Sequence, residues 1–310
     1  MPRTRPVIAS TVALLASLAL LAASGCAGPT SGGNPADCPN GGTVRMGVQP
    51  FLAAAALTPS YQELAGALSR SLGCTVQVSV TTDYAAETEA MRGKQLEVAE
   101  FPPFGYVLAK DRANLVPVAT FGDRHSDVST ATAGIAVLSS SPVTDLRGLA
   151  GQTVAFTAPT ATSGHLLPAY GLQQAGIDPN AGISPVYLGT HTAVYQALLT
   201  GRVAAAELAS TQIAAATSAH LYDPARIRML WTSAPSPSDP IVVRSDLTPE
   251  FRQRFTRALL ELDFEKLSPP AREFFHRTVQ AYRFVPADDS TYTSVRAVVE
   301  ALHLTPASVR

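Results

Sequence analysis

From Thr43 onward, apolar residues follow two rhythms along the chain. Short runs rich in Val, Ile and Leu predict strands over Val44–Val48, Val76–Val80, Leu96–Ala99, Leu115–Phe121 and Ile135–Leu138. A second set is predicted over Thr153–Phe156, Ser184–Leu188, Val203–Leu208, Ile227–Trp231 and Ile241–Arg244. Between most of them the apolar spacing turns helical, at Gln62–Leu72, Ala85–Arg92, Gly164–Ala175 and Thr192–Thr200. Pro249–Asp263 and Pro270–Gln280 continue that rhythm in a C-terminal tail that reads as purely helical. Strands alternating with helices indicate βαβ units, so the expected class is α/β with mainly parallel sheets flanked by helices.

One stretch of this pattern recurs. At an offset of 107 residues, Tyr84 to Glu100 (YAAETEAMRGKQLEVAE) aligns with His191 to Glu207 (HTAVYQALLTGRVAAAE). Each copy reads as loop, helix, turn and strand, and the shared positions include Glu100 with Glu207. The repeat predicts two similar lobes, each presenting a polar ring, Tyr84 or His191, just before a helix. Two such lobes with a cleft between them suit a ligand-binding clamp.

The N-terminal pattern differs. Arg3 and Arg5 precede an apolar run from Val7 to Ala23, and the small residues Ala23, Ser24 and Gly25 lead to Cys26. This predicts a signal peptide over residues 1–25, and it resembles a bacterial lipoprotein signal with Cys26 acylated. Residues 26–42, rich in Gly, Pro, Ser and Asn, read as a flexible tether. Cys38 and Cys74 then remain as an even pair in an oxidising compartment, each just before a predicted strand. Adjacent parallel strands would bring them together, so a disulfide is expected. Removing residues 1–25 takes away two arginines and no acid, moving the formal charge from −1 to −3. Nothing in that balance points to nucleic acid, and no second long apolar segment follows.

The strongest local feature is the predicted strand Thr153–Phe156, followed by the hydroxyl-rich loop Thr157 to Gly164 at a helix start. Such a loop aims unpaired amides, the positive helix end and hydroxyls at one point that attracts oxyanions. From these residues alone, a plain N-cap by Thr162 or Ser163 is an equal reading.

Four segments, in order, resemble the phosphate, phosphite and phosphonate-binding receptors of ABC transporters, which have the type II periplasmic binding protein fold. They are TDYAAETEAMRGKQLEVAEF, DLRGLAGQTVAFTAPTATSGHLLPAYGLQQAGIDP, LGTHTAVYQALLTGRVAAAE and IRMLWTSAPSPSDPIVVRSDL. The resemblance spans Thr43 to about Phe264 and implies a ligand set. The family's Ser-Thr-Ser-Gly oxyanion loop falls on Ala161, Thr162, Ser163 and Gly164, with Ala161 lacking the hydroxyl. Its tyrosine falls on Tyr84, its histidine on His191, its aspartate on Asp239, and a second aromatic on Phe101. In these roles His191, Tyr84, Thr162 and Ser163 donate to phosphoryl oxygens. Asp239 only accepts while ionised, favouring a ligand with a P–OH and repelling a fully ionised oxyanion such as sulfate. Glu100 and Glu207, at equivalent strand ends, read either as solvated or ion-paired acids or as partners of a ligand ammonium.

The resemblance also implies that Ile135–Leu138 and Pro240–Arg244 are paired hinge strands. The first lobe is expected over 43–138 and 239–310 and the second over 139–238. The implied activity is extracytoplasmic capture of a small anion for an ABC importer permease, by a lipid-anchored monomer needing neither cofactor nor metal. Three other readings compete. Ser163, His191 and Asp239 are the residue types of a hydrolase, although no G-x-S-x-G elbow surrounds Ser163. A receptor of the same fold could take a sulfonate, a heterocycle or a cationic metabolite. A sensor with an empty cleft is the third.

Overall fold

The structure, a computed structural model, describes residues 37–305 and 307. The predicted signal peptide, Cys26 and most of the predicted tether lie outside the described residues.

The described chain opens with a single turn, α1 (Pro39–Gly42), then β1 (Thr43–Val48), α2 (Ala54–Leu72), β2 (Thr75–Val80), α3 (Tyr84–Arg92), β3 (Val98–Glu100), α4 (Pro103–Ala113) and β4 (Leu115–Gly122). It crosses through β5 (Thr130–Ala131) into β6 (Gly134–Leu138), β7 (Thr153–Phe156), a π-helical turn at Thr162–Leu166 leading into α5 (Leu167–Gln174), β8 (Ser184–Tyr187), α6 (His191–Leu199), β9 (Ala205–Glu207), α7 (Ser210–Ser218) and β10 (Ile227–Thr232). It returns through β11 (Ser236–Pro237) to β12 (Pro240–Arg244), α8 (Pro249–Leu260), α9 (Pro269–Glu273), a second π-helical turn at Phe274–Val279, β13 (Arg283–Val285) and α10 (Thr293–Ala301).

These strands form a six-stranded sheet ordered β13-β4-β12-β3-β1-β2 and a five-stranded sheet ordered β10-β6-β9-β7-β8. In each sheet four strands share one direction. β12 and β13 run against the others in the first, and β6 alone does so in the second. The expectation of two mainly parallel α/β halves therefore holds.

The crossing corrects two expectations. Ile135–Leu138 and Pro240–Arg244 do not pair with each other. β6 pairs with β9 and β10, whereas β12 pairs with β3 and β4. The crossing strands that pair are the two-residue β5 and β11, Thr130–Ala131 against Ser236–Pro237. The switch between halves thus comes before residue 134, not at 138, and β6 belongs to the second sheet. Two residues flanked by Ser, Thr and Pro carry no strand periodicity, so only the longer runs beside them were visible.

The C-terminal tail is not purely helical either. β13 lies antiparallel on β4, and Phe284 stacks on Phe121 with ring centroids 5.1 Å apart. Burying one aromatic on a short edge strand is enough to place it. Packing also extends α2 back to Ala54 despite Pro59, because Leu57, Tyr61, Leu64 and Leu68 form one buried stripe at helical spacing. Gly73, at φ 69, ends that helix in the left-handed conformation glycine tolerates.

The predicted disulfide is present. Thr43 pairs with Thr75 in parallel register, which sets the preceding Cys38 and Cys74 side by side, with Cα atoms 5.9 Å apart. No helix among the described residues is long and apolar enough to cross a membrane.

Candidate functional site

The repeat seen in the sequence is a repeat of structure. Tyr84 begins α3 and His191 begins α6, and each helix is capped by the residue before it. Asp83 accepts from the Ala86 amide at 2.7 Å, and Thr190 accepts from the Ala193 amide at 3.1 Å. Glu100 ends β3 and Glu207 ends β9, opposite Ile241 and Ile135 of the reversed neighbouring strands. Both halves therefore aim a ring and an acid at the same ends of their sheets.

These ends meet at one cavity of about 80 Å³. That is small beside the several hundred cubic ångströms of drug-sized sites. The first half contributes Gln49, Tyr84 and Glu100, the second Ala161, Thr162, Ser163 and His191, and the returning crossing Asp239. Among the described residues no Lys or Arg lines it.

The loop after β7 does not use Thr162 or Ser163 as a cap. Ala161 holds that place, extended at φ −73 and ψ 137, so the hydroxyls are free for other work. Thr162 Oγ1 accepts from the Phe104 amide at 2.9 Å, a buried bond from the start of α4 in the first half to the second. Its own hydroxyl hydrogen stays available as a donor. The Ala161 methyl, where the family pattern has a hydroxyl, packs with Ala158 against Tyr84 across the cleft. Gly164 lies behind the cavity wall, because a Cβ there would come within 2.5 Å of Thr157 Oγ1.

Thr157 was not singled out in the sequence, yet it is wholly buried and organises the histidine. Its hydroxyl donates to Glu207 Oε1 at 2.7 Å, the same oxygen that lies 2.7 Å from His191 Nδ1. The Gln212 amide holds the His191 carbonyl from α7, and the His191 amide reaches back to the Phe51 carbonyl at 3.2 Å. Burial works against charge on the imidazole, but the Glu207 carboxylate more than compensates and holds it above the ordinary histidine range. With Nδ1–H turned to Glu207, Nε2–H faces the cavity as a cationic donor. Glu207 thus stands behind His191 rather than on the cavity, as the ion-pair reading expected.

Asp239 accepts a hydrogen bond from the Gln49 side-chain amide. Burial pushes its carboxyl up to about 7, against the lowering pull of His191 and Gln49. Glu100 accepts from the Tyr61 hydroxyl at 2.6 Å, and beside it Glu87 of α3 is completely buried. Burial raises both well above the ordinary carboxylate range, with Asp239 adding to each. Tyr84, also raised by burial, keeps its hydroxyl proton.

Phe101 is a correction. It is 1% exposed and packs with Met91, Leu96, Tyr106 and Tyr292 in the first half's core, away from the cavity. Strand alternation explains this, since Glu100 faces the cleft and its neighbour must face inward. Sequence reasoning also missed Gln49, Tyr61 and Glu87. Only the placing of a polar residue directly after an apolar strand, as at Gln49, could have pointed to one of them. No cluster of metal-ligating side chains occurs among the described residues.

Two α/β halves joined by a paired crossing and closed over a small polar cavity define a two-lobed type II periplasmic binding protein. The chain belongs to the family described as ABC transporter, phosphonate, periplasmic substrate-binding protein, whose model matches residues 46–292. A curated relative, the phosphate-import protein PhnD of Mycolicibacterium smegmatis, is 29% identical over 205 residues, covering 61% of this chain and 62% of that protein. The match thus spans less than two thirds of the relative's length. Among solved structures, PhnD1 of Prochlorococcus marinus in complex with methylphosphonate superposes with a TM-score of 0.72 at 18% identity, covering 84% of this chain and 98% of that one. A binding-protein component of a phosphonate transporter from Pseudomonas aeruginosa gives 0.74 at 17% identity, with 84% and 86% covered. At such identities these two likenesses speak for the fold.

Proposed function

We propose that this protein is the extracytoplasmic solute receptor of an ABC importer and captures a small phosphorus oxyanion, phosphonate, phosphite or phosphate, by closure of its two lobes. The observation that carries the reading is the buried Glu207–His191 pair aimed at the amide-rich start of the π-helical turn, in a cavity without Lys or Arg. One histidinium, the Ser163 and Thr162 donors and the Tyr84 hydroxyl from the opposite lobe suit a small anion of low charge. Phe101 takes no part, while Gln49 and Thr157 join as positioning groups. The match to a phosphate importer and the fold shared with a methylphosphonate complex support the same ligand class.

Binding without turnover is the reading for the Ser163, His191 and Asp239 set. Asp239 bonds Gln49, and the acid on His191 is Glu207. Cys26 is read as the lipid-bearing residue of a monomer held on the outer face of the cytoplasmic membrane, which metabolic labelling of wild type and Cys26→Ser with a palmitate analogue tests. The ligand is tested by thermal-shift screening of phosphate, phosphite, methylphosphonate, aminoethylphosphonate, sulfate and taurine. A ligand at 100 times its Kd adds about 2.7 kcal/mol to folding. A phosphorus anion giving the largest rise is the expected result; a rise with taurine or sulfate alone would overturn the reading.

A further inference from the structure

Glu97 and Glu100 stand three residues apart on one chain segment, and both are buried, at 0% and 1% exposure. Glu97 takes bonds from Arg45 at 2.9 and 3.0 Å and an ion pair from Arg244 at 3.3 Å, which keep it ionised. Among the described residues no cation reaches Glu100. The groups that face it are the Tyr61 hydroxyl from α2, Tyr84 and Glu87 from α3, Asp239 ahead of β12, and His191 across the cavity, which is already paired with Glu207. Both carboxyl oxygens of Glu87 lack a hydrogen-bond partner among the described residues, and one crowds the place where a Cβ on Gly47 would be, 3.0 Å away.

The repeat provides an internal control. Glu207 occupies the position in the second lobe that Glu100 occupies in the first, and there the ring at the head of the preceding helix is a histidine that bonds it. In the first lobe the equivalent ring is Tyr84, which cannot carry positive charge. Glu87, Glu100 and Asp239 therefore share one wall with no cation of their own among the described residues, and neighbouring carboxyls withdrawn from solvent cannot all ionise.

We infer that Glu100 meets the ligand as an un-ionised carboxylic acid, with Oε2 accepting from Tyr61 and the proton on Oε1 donated to an ionised ligand oxygen. A carboxyl kept neutral by its surroundings is a hydrogen-bond donor at neutral pH. It gives a ligand ammonium nothing to pair with. Glu100 is then a specificity-determining residue. It favours a compact phosphorus anion such as phosphate or methylphosphonate over an aminoalkylphosphonate. This rests on the proposed ligand class and adds a named donor to it.

Glu100→Gln in the full mature chain tests the assignment, because an amide can accept from Tyr61 and still donate to the ligand. Calorimetry with inorganic phosphate, methylphosphonate and aminoethylphosphonate is run at about pH 6 and at about pH 8.5, one on each side of neutrality. The variant is expected to bind methylphosphonate within about threefold of wild type at the lower pH. At the higher pH it should bind more tightly, since its donor cannot ionise, and Glu100→Ala should lose about tenfold at the lower pH. A loss of tenfold or more in Glu100→Gln at the lower pH overturns the inference, as does tightest wild-type binding to aminoethylphosphonate that this variant abolishes. Infrared difference spectra of ligand-free wild type against Glu100→Gln give a second readout, in which a carboxylic C=O band lost in the variant is expected and its absence overturns the inference. If no phosphorus anion binds wild type while that band is present, the failure lies with the proposed ligand class and not with the state of Glu100.

Discussion

Asp239 is the best place to test the electrostatics of the cleft, because replacing it by Asn removes one ionisation and little else. The amide keeps an oxygen to accept from Gln49, so the packing of the returning crossing is preserved. An ordinary aspartate value of 3.8 against about 7 in the folded protein means that the native state holds a proton the unfolded chain has already released. Stability from this group is therefore fully present below the unfolded value and is lost as pH rises through about 7. At about 1.4 kcal/mol for each pH unit separating the two values, the loss is at most about 4 kcal/mol, and local relaxation brings the expectation to about 2–4 kcal/mol. Urea unfolding of ligand-free protein from about pH 5 to about pH 8 captures the upper two pH units of that interval, about 2–3 kcal/mol. Wild type should fall steeply over that range, while Asp239→Asn falls less and is the more stable protein at the upper end. Some slope remains in the variant, since Glu87 and Glu100 are raised in the same direction. Parallel profiles for the two proteins would refute the reasoning, because they would mean that Asp239 ionises as freely when folded as when unfolded.

Three further outcomes follow from the geometry. Glu207→Gln removes the acid that holds His191 charged, so affinity for methylphosphonate should drop by about 10- to 100-fold near neutral pH while folding persists; unchanged affinity by calorimetry would leave His191 without its role. Thr162→Val strips the acceptor from the buried Phe104 amide at the contact between lobes, weakening binding by about 1–3 kcal/mol, and Thr162→Ser restores it; equal binding in wild type and Thr162→Val would show that this bond does not hold the lobes together. Replacing Cys38 and Cys74 together by Ser opens a loop spanning 36 residues and should cost about 3–4 kcal/mol in denaturant, with ligand affinity unaffected; a loss of affinity larger than the loss of stability would contradict the placing of that bond away from the cleft.

Much of this was legible in the chain because the signals were long or repeated. All ten predicted strands exist, since most carry an apolar run that a sheet buries on at least one face. The alignment of Tyr84 with His191 and of Glu100 with Glu207 foretold real equivalences, because it recorded both helix spacing and strand ends. What could not be read depended on contacts made at a distance. α4 and α7 carry weak apolar stripes, and β5, β11 and β13 are too short for a period to appear. Phe101 was assigned to the ligand by a resemblance, while the alternation within β3 turned it inward. Thr157 and Glu87 have no signature of their own, since their roles exist only once the fold has set an acid, an imidazole or an empty-sided glycine beside them.

The Cys38–Cys74 bond also decides how a pull on the preceding chain enters the molecule. Force arriving at Cys38 passes straight to β2, the edge strand of the larger sheet, and to β1 beside it. The strands that lead to and from the crossing, β4 and β12, stand further along the same sheet, beyond β3. A pull arriving at Cys38 thus enters the half that carries Glu100. The half that carries His191 lies beyond the two short crossings, out of the direct line of that pull.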